Sequence, residues 1–141
     1  MGAAVSGPDP ARLLAAVYRK LLTVPAKISA RGAAGITKRW RAAYLAGRSP
    51  DGQTWAPLAA STVRRKGSTA ILRRTDGTLD QTRAVPSPGA GIRLLTGPLA
   101  RYHMLAYKTR PARRVLPRRM PADWLTLLGK LADEENRKAT R

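Results

Sequence analysis

Apolar side chains recur at steps of three and four over the first third of the chain. Leu14, Val17, Leu21, Val24 and Ile28 fall on one helix face, and Ile36, Trp40, Ala43 and Tyr44 resume the stripe. Asp9 before Pro10 reads as a helix start, with an N-cap followed by proline at the first helical position. Pro25 removes an amide donor inside the pattern, and Gly32 and Gly35 weaken it further. The stripe therefore predicts either one bent helix from about 10 to 46 or two helices joined near 30–34, with Gly47 as the C-terminal stop. Residues 48–70 lose the helical period. Asp51-Gly52 is a turn signal, and "STVRRKGST" is long enough for one short helical turn. Asp76-Gly77 marks a second turn.

The period then shortens. "LDQTRAV", "GIRLLTG" and "RYHMLAYK" hold Ile, Val, Thr and Tyr between Pro- and Gly-rich pieces such as "PSPGAG", which predicts antiparallel strands and hairpins. "RRVLP" is a candidate last strand. From Pro121 the helical period returns, with Trp124, Leu127, Leu128 and Leu131 on one face. Asp123 in its first turn and Arg137 and Lys138 near its end suit the helix dipole. Helix, strands, helix is an α+β order without internal repeat. The expected architecture is an N-terminal bent or split helix, a small antiparallel sheet and a C-terminal helix. Residues 1–9 are expected to form a flexible N-terminus and 10–138 one domain. Leu14, Val17, Leu21, Trp40, Trp124 and Leu128 are the candidate core.

Composition narrows this picture. The chain has 141 residues, enough for one modest core, and 43% of them are apolar, which favours a fold over disorder. With no Phe and seven Trp and Tyr in all, the core is expected to be aliphatic. The absence of cysteine excludes disulfides and thiolate metal sites. No apolar run is long enough for a membrane span. "MGAAVSGPDP" has neither the basic nor the apolar part of a secretory signal. Its Gly2 and Ser6 match only the loosest form of a myristoylation pattern.

The net charge is +19, which must bear on partners. Residues 1–70 carry 12 basic and 2 acidic side chains, residues 71–121 carry 11 and 2, and residues 122–141 carry 4 of each. The charge thus coats the folded part and spares the C-terminal segment. A solvated Arg-rich surface is the plain explanation, and contact with nucleic acid or acidic proteins the functional one. "KTRPARRVLPRR", residues 108–119, holds six cations and no anion, enough to neutralise several phosphates. It has no aromatic side chain to stack on bases, and no zinc-finger, RRM or helix-turn-helix pattern accompanies it.

Catalytic patterns are sparse. The one histidine, His103, falls in a predicted strand without partner His or Cys, and reads as a structural or interface residue. No nucleophile elbow, Walker loop or dinucleotide fingerprint is present. Asp9, Asp51, Asp76, Asp80 and Asp123 are isolated, and Asp133, Glu134 and Glu135 close a helix, so no paired acids are apparent. No enzyme activity, cofactor or metal is expected.

Three separated segments resemble one family. "GRSPDGQTWAPLAAST" is similar to the "dG-x-x-W-x-p-L-s-x-x-T" stretch of the tailed-phage virion morphogenesis (tail completion) family, matched by Asp51, Gly52, Trp55, Pro57, Leu58 and Thr62. "ILRRTDGTL" resembles its "I-L-x-x-T-G-x-L", with Ile71, Leu72, Thr75, Gly77 and Leu79 matching and Asp76 inserted. "RPARRVLP" resembles "x-P-A-R-x-F-L-G" through Pro111, Ala112, Arg113, Val115 and Leu116. "ARYHML" is similar to "Y-A-x-x-H-x-x-G" at Tyr102 and His103, with altered spacing and no Gly. An acidic, leucine-rich helix closes the family's chains, as "PADWLTLLGKLADEE" does here. The resemblance spans roughly residues 36–135.

The resemblance implies an architectural protein of the virion, assembled in the bacterial host cytoplasm. Such a protein belongs to a homo-oligomeric ring at the head-tail junction or tail top, completing the tail and joining it to the head. Expected partners are other neck, connector or tail-tube proteins with acidic faces, with DNA in the channel as a second target and no membrane. Candidate interface residues are Trp55, Pro57, Leu58, Arg110, Arg113, Arg114, Arg118 and Arg119. For Trp55, a core anchor pinning the first helix to the sheet is the favoured reading over an interface hot spot. The alternative function is a basic nucleic-acid-binding protein that contacts phosphates without sequence specificity.

Overall fold

The computed structural model describes residues 9–71, 78–89, 91–98, 100–104, 108 and 111–141. The fold is α+β. Helix α1 spans Pro10–Leu45, followed by α2 (Ala60–Lys66), α3 (Thr78–Gln81), β1 (Arg83–Ser87), β2 (Gly91–Leu95), α4 (Ala100–Met104) and α5 (Ala122–Ala139). Among the described residues no helix is long and apolar enough to cross a membrane.

Helix α1 is one continuous element, so the split at 30–34 does not occur. Asp9 caps it, its carboxylate accepting from the Ala11 amide at 3.0 Å. At the far end Gly47, at φ +68°, donates to the Tyr44 carbonyl and Arg48 donates to that of Ala43. This is the paired arrangement that closes a helix on a left-handed glycine. Pro25 lies inside the helix on its exposed side, where water can reach the Leu21 carbonyl that it leaves without a donor.

Gly32 and Gly35 prove to be contact positions rather than weak points. A Cβ on Gly32 would lie 2.5 Å from Leu128 Cδ2 and 3.2 Å from Ile92 Cδ1, and one on Gly35 would lie 2.6 Å from Leu127 Cδ2. The glycines let the leucines of α5 approach the α1 backbone. We expect Gly32→Leu to cost about 1–3 kcal/mol by overpacking this seam. Gly129→Ala, a mid-helix change with open space around it, should instead stabilise by ~0.5–1 kcal/mol. Thermal unfolding of the two variants checks both signs.

The helices run antiparallel. Trp40 meets Trp124 with ring centroids 5.9 Å apart and Arg39 lies 3.8 Å from Asp123, whereas further along Arg31 reaches Glu134 and Glu135. Arg31 bonds both carboxylates, and Lys138 does the same from α5 at 2.6 and 3.2 Å. Three acids of the charge-neutral C-terminal segment, Asp123, Glu134 and Glu135, are thus paired with α1. Hydrogen bonds from Lys138 and Arg31 hold the Glu134 carboxyl at about 2, below its ordinary 4.5. Burial pushes the Glu135 carboxyl up, but Lys138 and Arg31 outweigh it and the net shift is downward. Folded-state pKa values lower than the unfolded ones mean that the clasp contributes fully above the ordinary carboxylate range. Its contribution fades as pH falls from 4.5 toward 2. In a stability-versus-pH series, Glu134→Gln should flatten that acid limb.

Strands β1 and β2 form one antiparallel hairpin with Ala84 opposite Leu94 and Pro86 opposite Ile92. Its outer edge is closed by α1. The Ala84 amide donates to Thr37 Oγ1 at 2.8 Å, and Arg41 donates to the carbonyls of Thr82 at 3.0 Å and Asp80 at 2.8 Å. By strand parity Pro86 turns its nitrogen toward the same edge, where proline removes a donor that another chain could pair with.

Several expectations need correction. "RYHM" is helical within α4, and "LDQ" falls in α3. Residues 113–117 form no strand; side chains bond the backbone of 114–116 instead. The centre of the core is aromatic, since Trp40, Trp124 and Tyr44 are the largest fully buried side chains. The small residues Ala33, Ala84 and Ala100 share the buried cluster with those rings. Leu128 packs against this core half-buried. Leu14 is 72% and Leu21 37% exposed, and Val17 is half-buried. They lie N-terminal to Val24, the first buried residue of α1, so the apolar stripe outruns the body that covers it.

Candidate functional site

Two segments far apart in sequence meet at the C-terminal end of α1. The first is the loop that leaves α1. Its Asp51-Gly52 turn, with Gly52 at φ +85°, is closed by the bridge between Arg48 and Thr54, and the Trp55 amide donates to the Gly47 carbonyl at 2.8 Å. This return brings Trp55 over the last turn of the helix, where it meets Tyr44 edge to face at 4.9 Å. The Tyr44 phenol is buried, and burial raises its pKa.

The second segment, residues 113–118, is irregular and lies across this loop. Trp55 Nε1 donates to the Arg114 carbonyl at 3.2 Å, and Trp40 Nε1 to the Val115 carbonyl at 2.8 Å. In return Arg113 reaches into the loop. Its Nε and one terminal nitrogen donate to the Ala56 carbonyl at 3.1 and 3.0 Å, and the same terminal nitrogen to that of Pro57 at 3.1 Å. The Asp51 carboxylate accepts from the Arg118 amide at 3.1 Å. From α4, the His103 carbonyl accepts from the Arg113 amide at 2.6 Å, and Met104 Sδ from the amides of Val115 and Leu116. Two loops without a ladder between them are thereby locked through bonds of Trp40, Trp55, Arg113, Asp51 and Met104 to backbone groups.

The candidate interface residues therefore divide. Trp55 is 5% exposed and Arg113 9%, so both serve the fold and present little surface to a partner. Burial lowers the pKa of the Arg113 guanidinium, which stays cationic because three bonds to carbonyl oxygens replace its water. Pro57, Arg118 and Arg119 are exposed, and Leu58 and Arg114 are half-buried. Arg110 lies outside the described residues, as do Leu72, Thr75 and Gly77 of the second resembling segment. Of the described candidates, those left exposed are thus Pro57 on the first segment and the cations Arg118 and Arg119 on the second.

Sequence reasoning read Asp51 as a turn former, an isolated acid and a matched position of the resembling segment, and Met104 as part of a strand. The signal for Trp40 was available: a buried indole N–H needs an acceptor. No local pattern pointed to Asp51 as a partner, because the amide that it accepts lies in a distant segment. Among the described residues no group of three or more His, Cys, Asp or Glu is placed to hold a metal ion. No protein-family model matches the chain, and no curated protein or solved structure matches it.

Proposed function

We propose that this chain is an architectural, non-catalytic subunit of a tailed-phage or prophage-derived particle. It would join identical copies in a ring at the head-tail junction or tail top, completing the tail and linking it to the head. One observation carries this reading. Two of the three segments that resemble the virion morphogenesis family form one interlocked unit, through Trp55 on Arg114 and Arg113 on Ala56 and Pro57. Residues matched in a pattern and also dependent on one another in space make a stronger resemblance than scattered identities.

Identical subunits close a ring through heterologous contacts, in which one patch of each copy meets a different, complementary patch of the next. Pro57, Leu58, Arg118 and Arg119 supply one. At +19 per copy a ring repels itself unless acidic neighbours neutralise it, so self-assembly of the isolated protein should be weak and sensitive to salt. Neck, connector or tail-tube proteins with acidic faces are the proposed neighbours, and the virion the proposed location, after assembly in the bacterial host cytoplasm. A second reading, phosphate binding without base readout, is favoured by the adjacent exposed Arg118 and Arg119.

Quantitative mass spectrometry on tailed particles, purified through high salt and nuclease, tests the first reading against the second. The expected result is a constant ratio of a few copies to the portal protein. Absence from the particles, with recovery in the nucleic-acid fraction and a steep salt dependence of release, would overturn the ring reading in favour of the second.

A further inference from the structure

The hairpin has two edges, and the fold treats them differently. Along β1 the Ala84 amide and carbonyl both turn to Thr37 of α1, so Ala84 and its opposite residue Leu94 do not bond each other. Parity fixes the rest of the ladder. Val85 and Arg93 bond each other across it, and Ile92 and Leu94 turn their amides and carbonyls outward along β2. Among the described residues nothing bonds those four groups. The edge of β2 thus presents two donors and two acceptors, on residues ~6.8 Å apart, as an added antiparallel strand requires. Its position is fixed by α1, because Ser29 Oγ donates to the Gly91 carbonyl and Ile92 Cδ1 lies against Gly32. Pro86 blunts β1, whereas β2 holds no proline and its register is unbroken.

Arg93 selects the occupant. It stands between Ile92 and Leu94 on the opposite face of the hairpin, exposed, and Arg83 is exposed on that same face. Among the described residues neither guanidinium has an ion pair. A strand that bonds Ile92 and Leu94 places its intervening residue directly opposite Arg93. That is a non-bonded pair, the closer of the two kinds, with Cβ atoms about 4.5–5.5 Å apart. In a second copy the antiparallel register that bonds both residues sets Arg93 against Arg93, and like charges directly opposite are destabilising. A carboxylate in that place is attracted instead. Arg93 therefore bars self-pairing and favours an acidic strand. We propose that β2 accepts an extended segment of another protein as a third strand. That segment carries an acidic residue opposite Arg93 and apolar residues on either side of it, opposite Ile92 and Leu94 on the face that packs on the core. This surface is argued from the hairpin alone and stands whether or not the chain works in a particle.

The test uses the full chain and synthetic peptides, read by fluorescence anisotropy. One peptide carries the core Thr-Val-Glu-Val-Thr, and a second carries Lys in place of Glu. Two further versions of the Glu peptide are N-methylated, one at both valine amides, which face β2 in the proposed register, and one at the Glu amide, which faces away. The expected result is saturable binding of the Glu peptide to the parent chain. Methylation of the valine amides should weaken it roughly tenfold or more, and methylation of the Glu amide should leave it within about twofold. Arg93→Glu should weaken the Glu peptide roughly threefold or more and strengthen the Lys peptide by a similar factor. Lys130→Glu, an exposed change on α5 with the same effect on net charge, is the control for adhesion elsewhere on the basic surface and should alter neither peptide by more than about twofold. No binding of the Glu peptide, equal losses from the two methylation patterns, or a preference for Glu over Lys that Arg93→Glu leaves unchanged would overturn the proposal. Dimerisation of the parent chain in sedimentation that the Glu peptide reverses would also overturn it, by naming a second copy as the occupant.

Discussion

Trp55→Ala is expected to destabilise the isolated chain by about 3–5 kcal/mol, a fall of roughly 10–20 °C in Tm. The residue is 5% exposed, packs edge to face on Tyr44 and donates its indole hydrogen to the Arg114 carbonyl. Truncation would open a cavity at the end of α1 and leave that carbonyl without its donor. Trp55→Phe separates the two effects: it keeps most of the packing and loses the bond, so about 1–2 kcal/mol should remain. An exposed hot spot would behave in the opposite way, with an unchanged Tm for the isolated chain and loss of assembly alone. Thermal unfolding of the purified protein therefore decides between the two roles. Pro57→Ala and Arg119→Ala, both on exposed residues, supply the comparison that should leave the unfolding free energy within about 0.5 kcal/mol of the parent.

Arg113→Lys should cost about 2–3 kcal/mol, although it conserves charge. The guanidinium spans two carbonyls, Ala56 and Pro57, with three bonds from a planar fork, whereas an ammonium is a compact point charge on a flexible stem. A lysine there keeps the burial cost of a cation and loses part of what offsets it. Arg113→Met removes the charge and leaves both carbonyls unpaired, with a loss of similar size. Because Arg113 and Trp55 fasten the same pair of segments, their effects should not add. A double-mutant cycle in urea is expected to give a coupling of roughly 0.5–3 kcal/mol. A coupling of zero would mean that the two segments are not one unit. It would also remove the main support for the proposed function.

The hydrophobic period of 3.6 located α1 and α5, and the cap residues located the ends of α1. Asp9-Pro10 starts α1, and Gly47 stops it through a left-handed conformation that other residues adopt at a cost. Gly89, at φ +75°, likewise marks the turn between β1 and β2. These features were legible because they are local: each follows from what a few consecutive residues do to their own backbone. The middle of the chain was less so. "RYHM" and "RRVLP" carry the side chains of strands, yet one is helical and the other irregular. For such short runs the partners available in space outweigh propensity. Residues 113–117 gain nothing from a ladder, because Trp40, Trp55 and Met104 already bond their backbone.

By itself the sequence determined the α+β order, the two long helices, the turns and a surface whose net charge is +19. Only the tertiary structure decided which apolar residues are core. Leu14 and Trp40 belong to one continuous stripe, but α5 and the hairpin reach only as far as Val24, so one is left in water and the other is sealed. It also decided that Trp55 and Arg113 are spent on each other's segments, and that Gly32 and Gly35 are seats for leucines. Periodicity states which face of a helix is apolar. What covers that face, and where the cover ends, is set by chain that arrives from a hundred residues away.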